Sequence, residues 1–416
     1  MDGPGTQVNR QQVAAWALYD FANSVYPTVI TATIFAVHYT QTVVGNEAGR
    51  GDLWWGRAIS LSVLFVALSS PLLGSIADRA GVRKKMLILY TYICVGCVAL
   101  FPTIQPGMLV WGFCLVVLAN IGFEGAIVYY NAYLPELAPR ERLGFVSGLG
   151  YGVGYAGSVA GLLIALPLVS RERLDLTWLS VAVFYALFSG PALAWLPKDR
   201  PGDRTVFQAA VEGLTGFVRI VGDVLREREL RRFLLAFFFY IDGVLTVIVF
   251  TSIFASQTLG FARQELITLF LVVQGSALLG AFALARPTDR WGPKRVITLT
   301  LVLWTSIVIS VYFIESKRTF FAVAVLAGTG LGAIQAASRS LMAALIPAGK
   351  EAEMFGFYAF CGKSSSVLGP LVFGGISAAL GGNQRVALVA VAAFFVAGLL
   401  LLQRVRDPRA ARLAGS

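Results

Sequence analysis

The stretch Gly74–Lys85 reads GSIADRAGVRKK and lies between two apolar runs, so it predicts a short charged turn between two membrane-crossing helices. A second stretch of this kind, Asp289–Arg295, follows about 211 residues later. Both contain Asp-Arg, one further residue, a glycine, another residue and then two basic residues. A charged turn that recurs at half the chain length indicates that a membrane unit was duplicated.

The composition excludes an ordinary soluble protein. Of 416 residues, 57% are hydrophobic and 14% charged, and the mean hydropathy is +0.72; a soluble domain has about 25% charged residues. The net charge of +11 comes from basic residues in short loops between apolar runs. That distribution is typical of a polytopic membrane protein and does not favour nucleic-acid binding. We therefore expect a lipid bilayer around the chain, no nucleic-acid partner and a monomer.

The apolar runs predict an all-α protein with twelve transmembrane helices in two six-helix bundles. The predicted spans are about 13–39, 54–77, 85–104, 108–134, 143–169, 176–197, 231–256, 264–286, 295–314, 319–346, 354–380 and 385–403. The predicted domains are an N-terminal bundle over 1–197, a linker over 198–230 and a C-terminal bundle over 231–416. Apolar residues at helical spacing between Phe207 and Leu225 predict an amphipathic helix in the linker, either lying on the membrane surface or serving as a plain connection.

The distribution of Lys and Arg predicts the orientation. With both termini and the 2–3, 4–5, 6–7, 8–9 and 10–11 loops on one side, that side holds about 24 basic residues and the other about 8. The basic side is expected to face the cytoplasm. The N-terminal residues are polar and the first apolar run is a full span, so no cleavable signal peptide is expected and both termini are predicted to be cytoplasmic.

Several short motifs identify a family. Span 1 carries YDFANS at Tyr19–Ser24, and span 10 carries SRS at Ser338–Ser340. Span 4 ends in YNAYLPE at Tyr130–Glu136, and span 11 carries FGFY at Phe355–Tyr358. Together these motifs resemble the vacuole-effluxer-like branch of the major facilitator superfamily, which includes fungal vacuolar amino-acid effluxers and many prokaryotic relatives. The charged turn at Gly74–Lys85 resembles the superfamily as a whole. The start of span 5, Glu141–Phe145, repeats as Glu353–Phe357 about 212 residues later, which is a further sign of duplication.

This resemblance implies a solute carrier with the major facilitator fold, in which spans 1, 4, 7 and 10 line a central cavity. The prokaryotic relatives suggest a prokaryotic cytoplasmic membrane. The charged turns resemble the loops between helices 2 and 3 and between helices 8 and 9, to which we assign a gating role. A plain positively charged hairpin is the alternative for either turn. The predicted gating residues are Gly74, Asp78, Arg79, Gly81, Arg83, Asp289, Arg290 and Gly292.

Asp78 lies near a helix C-terminus, where a negative charge is unfavourable, so it requires a partner. Arg79, Arg83 or the N-terminus of a neighbouring helix would serve. In the second turn Ala285 takes the position of Gly74. The added methyl group predicts a less close approach of two backbones there.

Polar residues within the spans are the candidate solute and proton sites. An ionised side chain at mid-helix costs at least about 2.5–3.5 kcal/mol, so the few that are present are informative. They fall on the spans expected to line the cavity or to lie beside it, and the spans expected outside carry no mid-span charge. The candidates are Asp20, Asn23, Glu124, Asn131, Asp242, Gln335, Arg339 and Lys363.

Each candidate also has a structural alternative. Asp20 lies near the cytoplasmic end of span 1 and could pair with a loop arginine, and Arg339 or Lys363 could neutralise a carboxylate without meeting a solute. His38, the one histidine, is expected at the membrane interface. Cys94 and Cys97 form a C-x-x-C within a span, and we interpret them as packing residues because no second pair accompanies them.

These residues favour a secondary transporter over an enzyme. The sequence contains no Walker-type phosphate-binding loop and no constellation of nucleophile, base and metal ligands, so we expect no catalytic residue, no metal and no cofactor. Negative candidates on spans 1, 4 and 7 and positive ones on spans 10 and 11 suit a zwitterion, so an amino acid is the predicted solute. Proton coupling is predicted through Glu124, with Asp20 or Asp242 as second candidates. A transporter of a sugar or organic acid, and a receptor that binds solute without moving it, remain alternatives.

Overall fold

The computed structural model describes residues 9–45, 50–199, 201–215, 217–261, 263–365, 368–380 and 384–406. Within these ranges the regular structure is entirely helical. The two termini, for which a cytoplasmic position was predicted, lie outside the described residues over 1–8 and 407–416. Arg200 and Gly216 of the predicted linker are outside them too.

The described helices follow the predicted spans in order, because a chain in lipid must satisfy its backbone hydrogen bonds within each segment. Spans 2 to 6 are Arg50–Ala80, Arg83–Ala99, Leu109–Ala132, Leu143–Ser170 and Leu174–Trp195. Spans 7 to 10 and 12 are Arg228–Gln257, Arg263–Trp291, Pro293–Val311, Lys317–Leu345 and Gln384–Gln403. Span 11 is described in two parts, Glu351–Ser365 and Leu368–Ala379, and so is the linker, Val206–Thr215 and Phe217–Arg226.

Span 1 differs from the continuous helix predicted over 13–39. It consists of Arg10–Asn23, a wider π-helix over Tyr26–Thr31, a short helix Ile34–His38 and a second π-helix Tyr39–Val44. Pro27 has no N–H and cannot continue the α-helical ladder. The hydroxyl of Thr33 instead donates to the carbonyl of Thr28 at 2.6 Å. The first α-helical part of span 1, which carries the candidates Asp20 and Asn23, therefore ends at Asn23.

Nine helices of the described chain are long and apolar enough to cross a membrane. They correspond to spans 2 to 6, 8 to 10 and 12. Predicted spans 1, 7 and 11 are helical too, and with these nine they make up the twelve predicted spans.

The two halves repeat their helix packing. Span 1 packs on span 6, span 2 on span 4, and span 3 on spans 4 and 6. Each of these pairs recurs six spans later, as 7 on 12, 8 on 10, and 9 on 10 and 12. The duplication inferred from the charged turns therefore extends to the core of each half.

The chain divides into two compact units. Unit 1 comprises 1–137, 153–216 and 348–357, and unit 2 comprises 138–152, 217–347 and 358–416. The first residues of span 5 thus belong to unit 2, and the first residues of span 11 to unit 1. Each charged turn contacts the helix start that belongs to its own unit.

Candidate functional site

The first charged turn is the centre of a buried ion cluster in unit 1. The Arg83 guanidinium lies 2.9 Å from Asp78 Oδ1, 3.0 Å from Glu351 Oε2 and 2.6 Å from Glu136 Oε1. The side chain of Asp78 is 4% exposed and that of Arg83 12%. Three carboxylates from spans 2 and 11 and from the end of span 4 therefore converge on one cation, and removal of that cation would leave them uncompensated.

Asp78 also caps the start of span 11. Its Oδ2 accepts a hydrogen bond of 3.0 Å from the backbone N–H of Glu353, in the first turn of that helix. A carboxylate is stabilised there by the free N–H groups and the helix dipole. Of the partners predicted for Asp78, the structure selects Arg83 and the helix N-terminus. Arg79 instead pairs with Glu212 of the linker at 3.3 Å, and both of these side chains are about two-fifths exposed.

Two glycines set the shape of this turn. Gly81 ends span 2 with a φ of 62°, in the left-handed region that favours glycine. Gly74 lies against the backbone of span 11, where a Cβ would overlap the carbonyl of Ala352. The turn therefore requires glycine once for its conformation and once for a close helix contact.

The second charged turn also caps a helix, within unit 2. Asp289 Oδ1 accepts from the N–H of Gly144 and Oδ2 from the N–H of Phe145, both at 2.8 Å, at the start of span 5. Gly292 has a φ of 89° and precedes Pro293, the first residue of span 9. Arg290 is exposed, and no ion pair joins it to another described residue.

The basic residues after the two glycines act differently. Lys294, which corresponds to Arg83, donates to the carbonyls of Gln403 and Val405 at 2.9 and 2.7 Å, at the end of span 12. In the first turn that task falls to Lys84, which donates to the carbonyl of Leu196 at 2.8 Å, at the end of span 6. Arg83 is thereby available for the ion cluster.

The contact at Ala285 remains close despite its methyl group. A Cβ on Gly148 of span 5 would lie 2.5 Å from the Ala285 Cβ. The expectation of a looser approach was therefore wrong, because the facing helix supplies the glycine.

Asp20 belongs to an aromatic network in unit 1. Its Oδ2 accepts from the Tyr130 hydroxyl at 3.1 Å. The Tyr130 ring stacks on Trp16 with centroids 4.5 Å apart and on Tyr19 at 5.1 Å. The Tyr19 hydroxyl continues the network to Thr91 of span 3 at 2.6 Å. Spans 1, 3 and 4 are thus joined around a buried carboxylate.

Two buried polar atoms of span 1 lack a hydrogen-bond partner among the residues that the structure describes. They are Nδ2 of Asn23, a residue 2% exposed, and the hydroxyl of Tyr26, which is fully buried at the start of the π-helix. Tyr26 packs against Phe123 with centroids 5.0 Å apart and lies within electrostatic range of Glu124. Unpaired buried polar groups and π-helices both concentrate at functional positions. Tyr26 thus lies within electrostatic range of Glu124, and Asn23 precedes it by three residues on span 1.

Arg339 is buried in unit 2 and bound to the start of span 5. Its Nε donates to Ser147 Oγ at 3.0 Å and one terminal nitrogen donates to the Ser147 carbonyl at 2.7 Å. The guanidinium lies 3.9 Å from the centroid of the Tyr151 ring. Its orientation is therefore fixed by span 5.

Asp242 is the buried carboxylate of unit 2. Its Oδ1 accepts from the N–H of Gly369 in span 11 at 3.0 Å. Oδ2 and the hydroxyl of Thr246, one turn along span 7, have no hydrogen-bond partner within the described ranges. Asp242 thus combines a helix contact with an oxygen that has no described hydrogen-bond partner.

The remaining three candidates differ in burial. Gln335 and Lys363 of unit 2 are half-buried, and Asn131 of unit 1 is buried beside Tyr130.

Several residues that contact the site residues were not predicted from the sequence. Glu136, Glu351, Tyr130, Ser147 and Tyr151 were not named as candidates. Glu136 and Glu351 were hidden because acidic residues near loops are ordinary. The sequence indicates Tyr130 and Tyr151 only weakly, because each lies near polar residues on a span expected to line the cavity or to lie beside it.

Comparison with known proteins assigns the family. The family model described as "Vacuole effluxer Atg22 like" matches residues 57–415. The chain belongs to this family. An uncharacterised MFS-type transporter, YxiO of Bacillus subtilis, is 29% identical over 95% of each chain. Autophagy-related protein 22 of Vanderwaltozyma polyspora is 24% identical, over 87% of this chain and 72% of the relative.

Solved transporter structures show the fold. The human organic anion transporter MFSD10 superposes with a TM-score of 0.78 at 17% identity, over 96% of this chain and 100% of that one. The proton:xylose symporter XylE does so with a TM-score of 0.73 at 12% identity, over 95% and 96%. This member of the Atg22-like family is therefore an integral membrane protein of the major facilitator superfamily, a transporter of small solutes and not an enzyme.

Proposed function

We propose that the chain moves an amino acid across the membrane by alternating access, coupled to protons. The observation that carries the proposal is the fixed, buried guanidinium of Arg339 in unit 2, within a family whose fungal members are vacuolar effluxers. A planar guanidinium matches a carboxylate with two parallel hydrogen bonds. An amino acid also carries an ammonium group, and the buried carboxylate of Asp242 in the same unit is the proposed partner for it.

Solute binding by purified variants tests this assignment. Parent protein, Arg339→Lys and Arg339→Ala would each be titrated with amino acids, sugars and organic acids, with thermal stability as the readout. A ligand at 100 times its Kd stabilises by about 2.7 kcal/mol. We expect amino acids to stabilise the parent, and both variants to lose that response while remaining folded. Normal binding by both variants, or stabilisation of the parent by sugars alone, would contradict the proposal.

Ser147→Ala is the matched control for Arg339. It removes one hydroxyl acceptor from the guanidinium but leaves the charge and the Ser147 carbonyl in place. Weakened binding with unchanged solute preference is expected. A change of preference would show that Ser147 itself meets the solute.

Glu124 is the proposed proton carrier. A carboxyl group in a partly desolvated cavity can load and release a proton as access alternates. Glu124→Gln in proteoliposomes is expected to abolish accumulation driven by a pH gradient and to leave counterflow exchange intact. Accumulation that survives the substitution, or that never depended on a pH gradient, would exclude this role.

The two charged turns are the proposed gates. Each holds the start of span 5 or span 11 through a carboxylate, and such contacts can form in one conformation and separate in another. Asp78→Asn is expected to keep expression and slow the exchange between the two access states. An unchanged transport rate in well-expressed protein would count against gating.

We propose that the linker lies in the cytoplasm, and labelling of its exposed residues tests this orientation. Phe207 is 78% exposed on its first helix, so Phe207→Cys offers a site for a membrane-impermeant thiol reagent. Labelling is expected only after bacterial cells are permeabilised. Labelling of intact cells, relative to the parent with its four native cysteines, would reverse the predicted orientation.

A further inference from the structure

A basic cavity of about 520 Å³ lies beside the first charged turn in unit 1. The turn forms one wall, the start of span 3 a second, and the segment after span 6 a third. Its charged lining consists of Lys84, Lys85, Lys198 and Asp199. None of these residues belongs to the proposed solute or gating sites.

Two of the four charged side chains build the cavity. Asp199 accepts from the backbone N–H groups of Lys84 and Lys85 at 2.6 and 3.2 Å and so caps the start of span 3. The Lys84 ammonium donates to the carbonyls of Ala194 and Leu196 at 3.3 and 2.8 Å. Both groups are therefore committed to holding span 3 against the end of span 6.

The other two are available to a ligand. The side chains of Lys85 and Lys198 are exposed, and no acceptor among the described residues pairs with either ammonium. With Asp199 occupied by backbone N–H groups, the cavity presents an excess of positive charge. The rest of its lining is apolar, with Val82 and Ile88 on the span 3 side. Two lysine ammonium groups beside an apolar lining suit an anion that carries a hydrophobic portion.

The position of the cavity indicates the source of that anion. Trp195, the last helical residue of span 6, is 51% exposed and precedes Lys198 of the cavity wall by three residues. Tryptophan concentrates at the headgroup level of a bilayer. Basic clusters on the cytoplasmic side attract anionic headgroups by about 1 kcal/mol per Lys or Arg. We propose that this cavity binds the phosphate of an anionic phospholipid through Lys85 and Lys198.

Titration of the purified full chain with defined lipids tests the proposal. The probes are phosphatidylglycerol and phosphatidylcholine in mixed micelles, and inorganic phosphate alone, with the melting temperature and the lipid count in native mass spectrometry as readouts. Phosphatidylglycerol is expected to bind with saturation, phosphatidylcholine more weakly, and inorganic phosphate without effect at millimolar concentration. A response to inorganic phosphate equal to that of phosphatidylglycerol would identify a free-anion site and overturn the lipid assignment.

A double variant assigns the binding to this cavity. Lys85→Ala with Lys198→Ala is expected to weaken phosphatidylglycerol binding at least tenfold, from about 1 kcal/mol per basic residue. Lys85→Arg with Lys198→Arg is expected to retain it. The charge-matched control replaces two other exposed basic residues, Arg228→Ala with Arg404→Ala, and is expected to bind as the parent does.

Equal weakening in the control pair would show general electrostatic attraction and overturn the proposal, as would unchanged binding in the alanine pair. The melting temperature of each variant without added lipid reports folding. If the alanine pair is unstable, Lys85→Gln with Lys198→Gln takes its place in the same comparison.

Discussion

The two charged turns share a sequence pattern but differ in what surrounds them. Both use an aspartate to cap a helix and a glycine of positive φ to end a span. In unit 1, however, Arg83 joins three carboxylates, whereas in unit 2 Lys294 caps the end of span 12. The partners explain this difference. Glu351 and Glu136 correspond, at the interval of about 212 residues, to Pro139 and Ala348, neither of which can pair with a cation.

This difference teaches that the cap is the shared element, whereas the three-carboxylate cluster is a feature of the first turn in the part of the chain that the structure describes. A cap needs only the free N–H groups of a helix start, which every helix offers. A buried cluster needs several acidic residues from different helices. The first turn is therefore expected to be sensitive to charge, and the second mainly to backbone geometry.

The largest contrast is expected for the two basic residues. Arg83→Ala leaves Asp78, Glu351 and Glu136 without their cation and should lower the free energy of unfolding by about 3–5 kcal/mol. Lys294→Ala, at the corresponding position, removes hydrogen bonds to two carbonyls and should cost about 1.5–3 kcal/mol. Denaturant unfolding of both proteins in detergent measures the pair. Equal losses would mean that the cluster adds nothing beyond a helix cap.

The next contrast concerns the helix contacts beside the turns. Gly74→Ala places a methyl group against the Ala352 carbonyl and should cost about 1–3 kcal/mol. Ala285→Gly relieves no clash and should cost about 0.5–1 kcal/mol through chain entropy. Gly148→Ala serves as the true counterpart of Gly74→Ala and should match its loss. A harmless Gly148→Ala would show that the second contact can relax.

The capping aspartates should differ less. Asn keeps an acceptor but loses the charge, so Asp289→Asn should cost about 0.5–2 kcal/mol. Asp78→Asn also removes one of the three carboxylates around Arg83, which relieves repulsion among them, and should cost no more than Asp289→Asn. Unfolding of Asp78→Asn in the parent and in an Arg83→Gln background separates the terms, because a buried ion pair is screened little by salt. A larger loss for Asp78→Asn when Arg83 is present would show that its ion pair outweighs the repulsion.

The smallest effects are expected for the exposed arginines. Arg79 has one half-exposed ion pair with Glu212, and Arg290 is exposed. Alanine at either position should change stability by less than about 1 kcal/mol. Unfolding midpoints of the two variants provide the measurement. A substantial loss at Arg79 alone would give the linker helix a structural role that its surface contact does not suggest.

Much of the fold could be predicted because few backbone structures can span a lipid bilayer. Apolar length predicted the spans, and Asp78, Gly81, Asp289 and Gly292 marked both turns from their spacing alone. These features are local in sequence, or repeat at one interval. The family followed from motifs such as SRS around Arg339.

The partners of the site residues could not be predicted. The contact between Arg83 and Glu351 joins residues 268 apart, and that between Arg339 and Ser147 residues 192 apart. Periodicity indicates which face of a helix is polar but not which residue it meets. The π-helix at Tyr26 was missed for another reason: Pro27 signals a disturbance, whereas the wider turn depends on threonine hydroxyls that bond back to the chain.

The positions of these contacts along the chain also determine when each charged turn can form them during synthesis. Asp289 caps residues 144 and 145, which have already been synthesised when the second turn emerges. Asp78 caps Glu353, 275 residues further along. At a synthesis rate of about 5–20 residues per second, roughly 15–55 seconds separate the synthesis of the first turn from that of the helix start that it caps. During this interval Asp78 has only Arg83, and a ribosome that stalls before Glu351 leaves a nascent chain whose second turn can close but whose first cannot.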